Sequence, residues 1–279
     1  MTTLLKMATL LWNITPSRSL RERYFSVYCW LVRGKSRIAR IDGVNFSLDL
    51  SQTIDVAFYL RRFEPELVAA IRTYTRPGDV ILDIGANTGL HALAFANQVR
   101  PNGKVYAFEP TNYAYARLNE NMRLNTQLNV EAVKLALSDE NVDSQIIDFR
   151  SSWRTDGIIE TKQNEVSIRK LDDWVADIEL EKVNIIKLDV DGFEYLVLRG
   201  AIETLKRFSP LIFMEVGLYH FQESDKDPVT LLSDVGYRFW DAKTKESYSH
   251  TALRQCLSMP QMAGVTLNVL ASADKTFAP

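Results

Sequence analysis

The sequence predicts an α/β fold in which seven strands alternate with helices in a mostly parallel, doubly wound sheet. The strongest indication lies at residues 80–109, where a short apolar strand, a turn with two glycines, a helix and a second strand ending in Glu109 follow one another. This order is half of a nucleotide-binding α/β unit. The second indication is that apolar runs and helical periodicity keep alternating toward the carboxyl end of the chain.

Seven short apolar runs are the candidate strands of this sheet, because helix-like segments separate most of them. They lie at residues 80–84, 104–109, 130–137, 183–189, 211–216, 237–240 and 265–270. Residues 141–168 interrupt the alternation and predict an inserted pair of strands. The segment at residues 153–157, between these two strands, is polar, aromatic and irregular, which favours a loop that faces the substrate.

The first 40 residues differ in composition from the remainder of the 279-residue chain. They carry a net charge of +7, against −9 for the rest, together with many aromatic and aliphatic side chains. We therefore expect a basic, apolar, helical extension at residues 1–42 and an α/β domain at residues 43–279. Two interpretations of the extension are open: it packs against the domain or a partner subunit, or it rests on an anionic membrane surface.

Cysteine and histidine usage indicates the cellular compartment. The two cysteines and three histidines are scattered, without the spacing of a zinc site or of a disulfide framework. The apolar run at residues 7–12 is too short to cross a bilayer, and no convincing cleavage site follows it. The sequence therefore predicts a cytoplasmic protein without a bound metal, and its basic extension leaves contact with the inner face of the membrane open.

The glycine spacing at residues 83–89 indicates the class of cofactor. A dinucleotide fingerprint needs G-x-G-x-x-G, so that the backbone can close on a pyrophosphate. Here Gly85 and Gly89 are four residues apart, and Asp83 precedes them. This pattern favours a ligand with an adenosine and a charged amino-acid tail but no phosphate, which is S-adenosylmethionine.

Each part of this turn has an expected role toward that cofactor. The glycines let the backbone approach the methionine moiety, and the N-terminus of the next helix offers N–H groups to its carboxylate. Asp83 either holds the turn or meets the ammonium group, and Glu109 accepts from the ribose hydroxyls. The cofactor-binding residues predicted in this region are Asp83, Gly85, Ala86, Asn87, Gly89 and Glu109.

Acidic residues are predicted at the carboxyl ends of four strands. They are Asp83, Glu109, Asp189 and Glu215. Ligands of open α/β sheets bind in the crevice beyond these ends. The convergence of four acids at one edge is the main reason to expect a functional site there.

A series of motifs, in this order, resembles the FkbM-type methyltransferases. The motifs are DIGANTG at 83–89, VYAFEP at 105–110, ALSD at 136–139, LDDW at 171–174, IKLDVDGFE at 186–194 and LRGA at 198–201. The resemblance covers about residues 43–220 and implies a Rossmann-like domain of the class I methyltransferase type with S-adenosylmethionine as cofactor. It also implies O-methylation of a hydroxyl on a sugar, polyketide or other secondary metabolite. The family often has Glu-Gly where this chain has Asp191-Gly192, which keeps the charge.

The resemblance adds two residues to the predicted cofactor site. Ser138 and Asp139 follow the third predicted strand, at a position that tends to contact adenine in Rossmann-like methyltransferases. An aspartate there could accept a hydrogen bond from the adenine amino group. A simple turn aspartate is the alternative interpretation.

Methyl transfer to an alcohol requires alignment, exclusion of water and a general base. Asp189 and Glu215 rank first as the base because their strand ends are expected to be adjacent, and His220 ranks third. Asp191 and Glu194 have structural explanations, as a helix cap and a first-turn acid. Alternatively, the two leading carboxylates hold Mg²⁺ or Ca²⁺, since no histidine or cysteine set supports a transition metal.

Three other functions are weighed against the methyltransferase hypothesis. A sugar oxidoreductase that uses NAD is disfavoured by the glycine spacing. A nucleic-acid methyltransferase is disfavoured because its Asn/Asp-Pro-Pro-Tyr motif is absent and because the acidic catalytic region repels phosphate. A non-catalytic module that binds S-adenosylmethionine is disfavoured because all four acids expected at the strand ends are present. The expected partner is a small-molecule or glycan acceptor, with no nucleic acid and with self-association through the N-terminal segment left open.

Overall fold

The computed structural model describes residues 34–150, 161–222, 226–262 and 264–279, together with the single positions 20, 23, 27 and 29. The loop predicted at residues 153–157 and most of the extension predicted at residues 1–42 lie outside the described residues. Within the described ranges, no helix is both long and apolar enough to cross a membrane.

The described strands are short and alternate with helices along the chain. The strands are β1 (Ser36–Ile41), β2 (Val44–Asp49), β3 (Val80–Ile84), β4 (Lys104–Phe108), β5 (Val130–Val133), β6 (Ala136–Leu137), β7 (Val142–Arg150), β8 (Thr161–Arg169), β9 (Ile185–Leu188), β10 (Leu211–Gly217), β11 (Arg238–Asp241), β12 (Ser247–Tyr248) and β13 (Thr266–Ser272). The α-helices are α1 (Thr53–Tyr59), α2 (Pro65–Tyr74), α3 (Leu90–Gln98), α4 (Asn112–Arg123), α5 (Leu171–Asp177), α6 (Glu194–Arg199), α7 (Ile202–Phe208), α8 (Pro228–Asp234) and α9 (His250–Leu257). Two 3₁₀ turns follow β10 and α9, at Leu218–Phe221 and Pro260–Met262.

The main sheet confirms the predicted α/β class. Its strand order is β12-β11-β13-β10-β9-β3-β4-β5, and the five strands from β10 to β5 pair in parallel. At the other end of this sheet, β13 pairs antiparallel with β10 and β11, and β12 pairs antiparallel with β11. The predicted count of seven strands is wrong by one, because the two-residue β12 adds an eighth at the edge. A strand of two residues carries no apolar run that could predict it.

Helices cover both faces of this sheet, as a parallel sheet requires. On one face, α2, α3 and α4 bury Phe95 against Phe213, with their rings stacked 5.9 Å apart. On the other face, α5 to α9 enclose Trp174, whose ring meets that of Phe108 edge-on at 4.7 Å. The central strands β3 and β9 are buried along their whole length, which explains why they are apolar apart from Asp83 and Lys187.

Two smaller pieces of sheet flank the main one. β1 and β2 form a hairpin at the Asp42-Gly43 turn, where both residues have positive φ, as is common in two-residue hairpin turns. The helical prediction for residues 36–41 is wrong, because their backbone pairs with β2 instead. In the predicted insertion, β7 and β8 pair antiparallel. Residues 136–137, expected to end the third sheet strand, form β6 and join β8.

Candidate active site

The four acids predicted at strand ends lie at the carboxyl edge of the main sheet. Asp83 is the penultimate residue of β3, Glu109 follows β4, and Asp189 follows β9. Glu215 lies within β10, two residues before its end. Because β3, β4, β9 and β10 run in parallel, their ends meet at one edge, where an α/β sheet binds its ligands.

The turn after β3 depends on its glycines for reasons within the chain itself. Gly85 has a φ of +78°, and a Cβ there would lie 1.8 Å from the carbonyl oxygen of Asp189. Gly89 has a φ of +84°, and a Cβ there would lie 2.5 Å from Cδ1 of Leu118. Only glycine suits both the left-handed backbone and these close approaches. An approach of the turn to a cofactor, the predicted reason for the glycines, stays a prediction.

Glu109 fastens this turn to the end of β4. One carboxylate oxygen, Oε2, accepts a hydrogen bond from the backbone N–H of Asn87 at 2.9 Å. The other, Oε1, accepts from the backbone N–H and the hydroxyl of Thr111, at 2.9 and 2.6 Å. Burial raises the pKa of Glu109, while these donors oppose the rise. The backbone N–H groups of Gly85 and Ala86 both donate to the carbonyl oxygen of Phe108, so the turn is fixed in one conformation.

Lys187, in the middle of β9, connects the acids electrostatically. Its ammonium lies 3.3 Å from Asp83, 3.2 Å from Asp189 and 3.1 Å from the carbonyl oxygen of Gly85. Burial alone would lower the pKa of Lys187, but the carboxylates of Asp189, Asp83 and Glu64 raise it above its ordinary value. The lysine therefore stays charged. Asp83 is fully buried, and both of its predicted roles, holding the turn and meeting the ammonium group, stay predictions.

Glu64 adds a third carboxyl group beside Asp189 and Glu215. It precedes α2 with a left-handed backbone (φ 40°), and its Oε2 lies 3.4 Å from Nε2 of the buried His91. Burial raises the pKa of Glu64 to about 8, and the nearby Asp189 adds to the rise. Burial also lowers the pKa of His91 to about 3. At neutral pH the pair thus consists of a protonated carboxyl and a neutral imidazole.

A small cavity brings the two leading base candidates together. Its lining includes Asp189 and Glu215, and Lys187, Glu64 and Asn268 line it as well. Burial raises the pKa of Glu215, and a hydrogen bond from the Thr266 hydroxyl opposes that rise. The cavity therefore places Glu215, whose proton affinity burial raises, beside Asp189, whose carboxylate pairs with Lys187.

The match to known families decides how this site is interpreted. Residues 83–239, more than half of the chain, match the family model described as the Methyltransferase FkbM domain. The chain belongs to the FkbM methyltransferase family. The matched residues contain the glycine turn, Glu109, Lys187 and both leading base candidates.

Individual relatives of this FkbM chain share part of its length. It is 34% identical over 154 residues to "2-O-methyltransferase NoeI" of Sinorhizobium fredii, covering 47% of this chain and 61% of the relative. It is 27% identical over 190 residues to "Hexuronic acid methyltransferase AglP" of Haloferax volcanii, covering 66% and 74%. A solved structure, the methyltransferase FkbM from Methylobacillus flagellatus, aligns with a TM-score of 0.46 at 14% identity, covering 96% of this chain and 57% of that one.

His220, the third base candidate, is held by two hydrogen bonds in this FkbM domain. Its Nδ1 accepts from the backbone N–H of Gly217 at 3.1 Å, so the proton of the neutral ring lies on Nε2. That nitrogen is 2.7 Å from Oε2 of Glu194, which also accepts from the N–H of Gly192. Both ring nitrogens are engaged, and the arrangement ties the end of β10 to the loop after β9. A base role for His220 stays a prediction that this geometry does not favour.

Ser138 and Asp139, the predicted adenine contacts, are anchored to α6. The carboxylate of Asp139 forms an ion pair with Arg199 and accepts from the hydroxyl of Ser138 at 3.2 Å. A Cβ on Gly200 would lie 2.0 Å from the carbonyl oxygen of Ser138, so this glycine allows the close packing. Contact with adenine stays a prediction for both residues.

The sequence analysis missed Lys187 and the pair of Glu64 and His91. A signal existed for Lys187, because a charged residue inside the run Ile185–Leu188 has to find partners when the strand is buried. No local pattern indicated Glu64, since it lies 125 positions before Asp189. In the part of the chain that the structure describes, no group of three or more His, Cys, Asp or Glu side chains is arranged to hold a metal ion.

Proposed function

We propose that this chain is an S-adenosylmethionine-dependent O-methyltransferase that acts on a hydroxyl of a sugar, a glycan or a secondary metabolite. The observation that carries the proposal is the shared cavity of Asp189 and Glu215, beside the turn that the FkbM family model includes. The names of two relatives, a 2-O-methyltransferase and a hexuronic acid methyltransferase, support a sugar hydroxyl as the acceptor.

The residues around the turn fit the cofactor that the family implies. A carboxylate has about four acceptor sites, and three of those on Glu109 are in use, so one remains for a ribose hydroxyl. The hydroxyl of Thr88, just before α3, is buried without a hydrogen-bond partner among the described residues. The N-terminus of α3 favours an anion such as a carboxylate. Glu109, Thr88 and the backbone from Gly85 to Gly89 would therefore hold the cofactor.

The chemistry then assigns different roles to the two acids. Bound S-adenosylmethionine supplies a methyl group that is already activated, since a sulfonium carries it. Lys187 lies 3.2 Å from Oδ2 of Asp189 and engages that oxygen in an ion pair, so we assign Asp189 to orienting the hydroxyl. Burial raises the proton affinity of Glu215, so Glu215 takes the hydroxyl proton as the methyl group moves from sulfur to oxygen.

Substitution by amides tests these roles while it preserves side-chain shape. Glu215→Gln should lower the turnover rate by about 10²–10⁴-fold, the usual contribution of a general base. Asp189→Asn should lower it less, and both variants should bind S-adenosylhomocysteine as the wild type does. Glu203→Gln, an exposed carboxylate on α7, is the matched control. Full turnover by both variants in EDTA would refute the base and the divalent-cation mechanism together.

The N-terminal segment is assigned here to packing rather than to membrane contact. Cys29, one of its described positions, is buried at 5% exposure in the same core cluster as Ile41 and Phe46. Binding to anionic vesicles that falls steeply as salt rises would favour the membrane interpretation instead.

A further inference from the structure

Large apolar side chains stand exposed at the edge of the sheet that carries the acids, and two of them are aromatic. Phe193 is 50% exposed in the loop after β9, and Tyr219 is 42% exposed in the 3₁₀ turn after β10. These two loops also carry or adjoin Asp189 and Glu215. Exposed apolar groups beside a cavity mark a surface that another molecule covers.

The ring of Tyr219 lies across both loops. A Cβ on Gly217 would fall 2.3 Å from Cε1 of Tyr219, and a Cβ on Gly192 would fall 3.9 Å from Cε2. The absence of a side chain at Gly217 thus lets the ring lie flat on the backbone that leaves β10. Gly192 immediately precedes Phe193, so the loop that carries Phe193 passes beside the ring of Tyr219.

The neighbouring His220 fixes the position of the Tyr219 ring. The rings of Tyr219 and His220 have centroids 4.2 Å apart. His220 is itself held by Gly217 and by Glu194, at 3.1 and 2.7 Å. His220 is therefore a positioning residue for Tyr219, which explains why a buried histidine occurs at this edge without a free nitrogen.

Several carboxylates lie close enough to Tyr219 to act on its phenol electrostatically. Burial and the charges of Glu194, Glu215 and Asp191 raise the pKa of Tyr219, so its phenol stays protonated. A flat apolar face next to several hydrogen-bond acceptors suits a ligand with an apolar face and a rim of hydroxyls. A pyranose ring has both features, whereas a purely apolar alcohol would leave the acids without partners.

We propose that Tyr219, extended by Phe193, is the platform on which a pyranose ring of the methyl acceptor stacks, with its hydroxyl edge toward Glu215. This proposal rests on the methyltransferase function proposed above and names the acceptor as a cyclic sugar. Stacking fixes the distance and the tilt of the sugar, so the platform determines which hydroxyl reaches the methyl group.

Three variants of Tyr219 separate stacking from other effects. Tyr219→Phe keeps the flat face, Tyr219→Leu keeps apolar bulk without it, and Tyr219→Ala removes both. Tyr195→Ala is the control, since that ring lies on α6 against Arg199. The probes are methyl glycosides of common hexopyranoses, with mannitol and benzyl alcohol as acyclic and apolar comparisons. Methyl transfer from S-adenosylmethionine and the affinity for S-adenosylhomocysteine are both measured.

The wild type should methylate at least one glycoside in preference to mannitol and benzyl alcohol. The acceptor KM should rise about tenfold in the Leu and Ala variants and stay within about threefold in the Phe variant, as expected for loss of one aromatic contact. The affinity for S-adenosylhomocysteine should not change. The stacking proposal would be overturned if the Leu and Ala variants both kept the wild-type KM, or if the wild type methylated mannitol as well as the glycosides. Either result would leave the proposed methyltransferase function standing. Failure of the wild type to bind or methylate any glycoside or alcohol would overturn the proposed function as well.

Discussion

Replacement of Lys187 by methionine is expected to remove a large part of the stability of the domain. Methionine keeps the length and the apolar stem of lysine but has no charge. The fully buried Asp83 and the half-buried Asp189 then lose the ammonium that lies 3.3 and 3.2 Å away. Breaking a buried ion pair by removing one partner costs about 3–5 kcal/mol. Since a domain has about 5–15 kcal/mol in total, the loss should be about a fifth or more.

The pH dependence of this loss has a definite sign. Burial raises the pKa of Asp83, and Lys187 opposes that rise. Without the lysine, the folded protein binds a proton that the unfolded chain, with a carboxyl pKa of about 3.9, does not bind at neutral pH. The deficit in the free energy of unfolding should therefore shrink as the pH falls from 8 toward 5.

Urea unfolding followed by tryptophan fluorescence measures both effects. The double variant Asp83→Asn with Lys187→Met removes the orphaned charge and should recover at least half of the loss. Lys206→Met, a surface lysine of α7, is the control and should change stability by no more than about 0.5 kcal/mol. If Lys187→Met is as stable as the wild type at pH 7, or if the double variant recovers nothing, Lys187 is not the counter-charge of Asp83.

Two further predictions concern the same edge of the sheet. The pKa of Glu64 is raised from the ordinary glutamate value of 4.5 to about 8, so the folded state keeps this proton to a higher pH than the unfolded chain does. Relative to Glu64→Gln, the wild type should therefore lose stability as the pH rises from 4.5 to about 8. Thermal unfolding across this pH range measures the difference in stability between the wild type and Glu64→Gln. The assignment would be contradicted if that difference did not change with pH, or if Glu66→Gln gave the same change. Gly85→Ala should destabilise the domain more than Gly78→Ala, since both have positive φ but only Gly85 faces backbone, with a Cβ 1.8 Å from Asp189. Gly78→Ala should lose only about 1–2 kcal/mol, from backbone strain. Equal melting temperatures for the two variants would show that the close approach of Asp189 is not what requires glycine at position 85.

The parts of the fold that follow from local patterns could be predicted from the sequence. β3, its glycine turn and α3 are contiguous, so apolar periodicity and turn chemistry were sufficient. The eighth strand, at Ser247–Tyr248, depends on pairing with β11 and has no pattern of its own. Residues 136–137 continue the apolar run of the third strand, but tertiary pairing with β8 places them in another sheet.

The predictability of the site has the same physical limit. The convergence of Asp189 and Glu215 follows from parallel strands, because their ends meet whatever the side chains are. The state of His220 depends on Glu194, which lies 26 positions away and approaches only in the folded chain. Gly85 was predicted from its motif as a cofactor contact, but the structure shows a requirement for glycine within the chain itself, since its close neighbour is the backbone of Asp189.

Mass spectrometry with S-adenosylmethionine that carries a deuterated methyl group tests the central claim most directly. The purified chain is incubated with the labelled donor and the panel of methyl glycosides, and each product is fragmented to locate the label. We predict one labelled methyl group on a ring hydroxyl of a glycoside, formed by the wild type and at least about a hundredfold more slowly by Glu215→Gln. Absence of any labelled product, or label formation at the wild-type rate by Glu215→Gln, would contradict the claim that this edge of the sheet transfers a methyl group to a hydroxyl with Glu215 as the base.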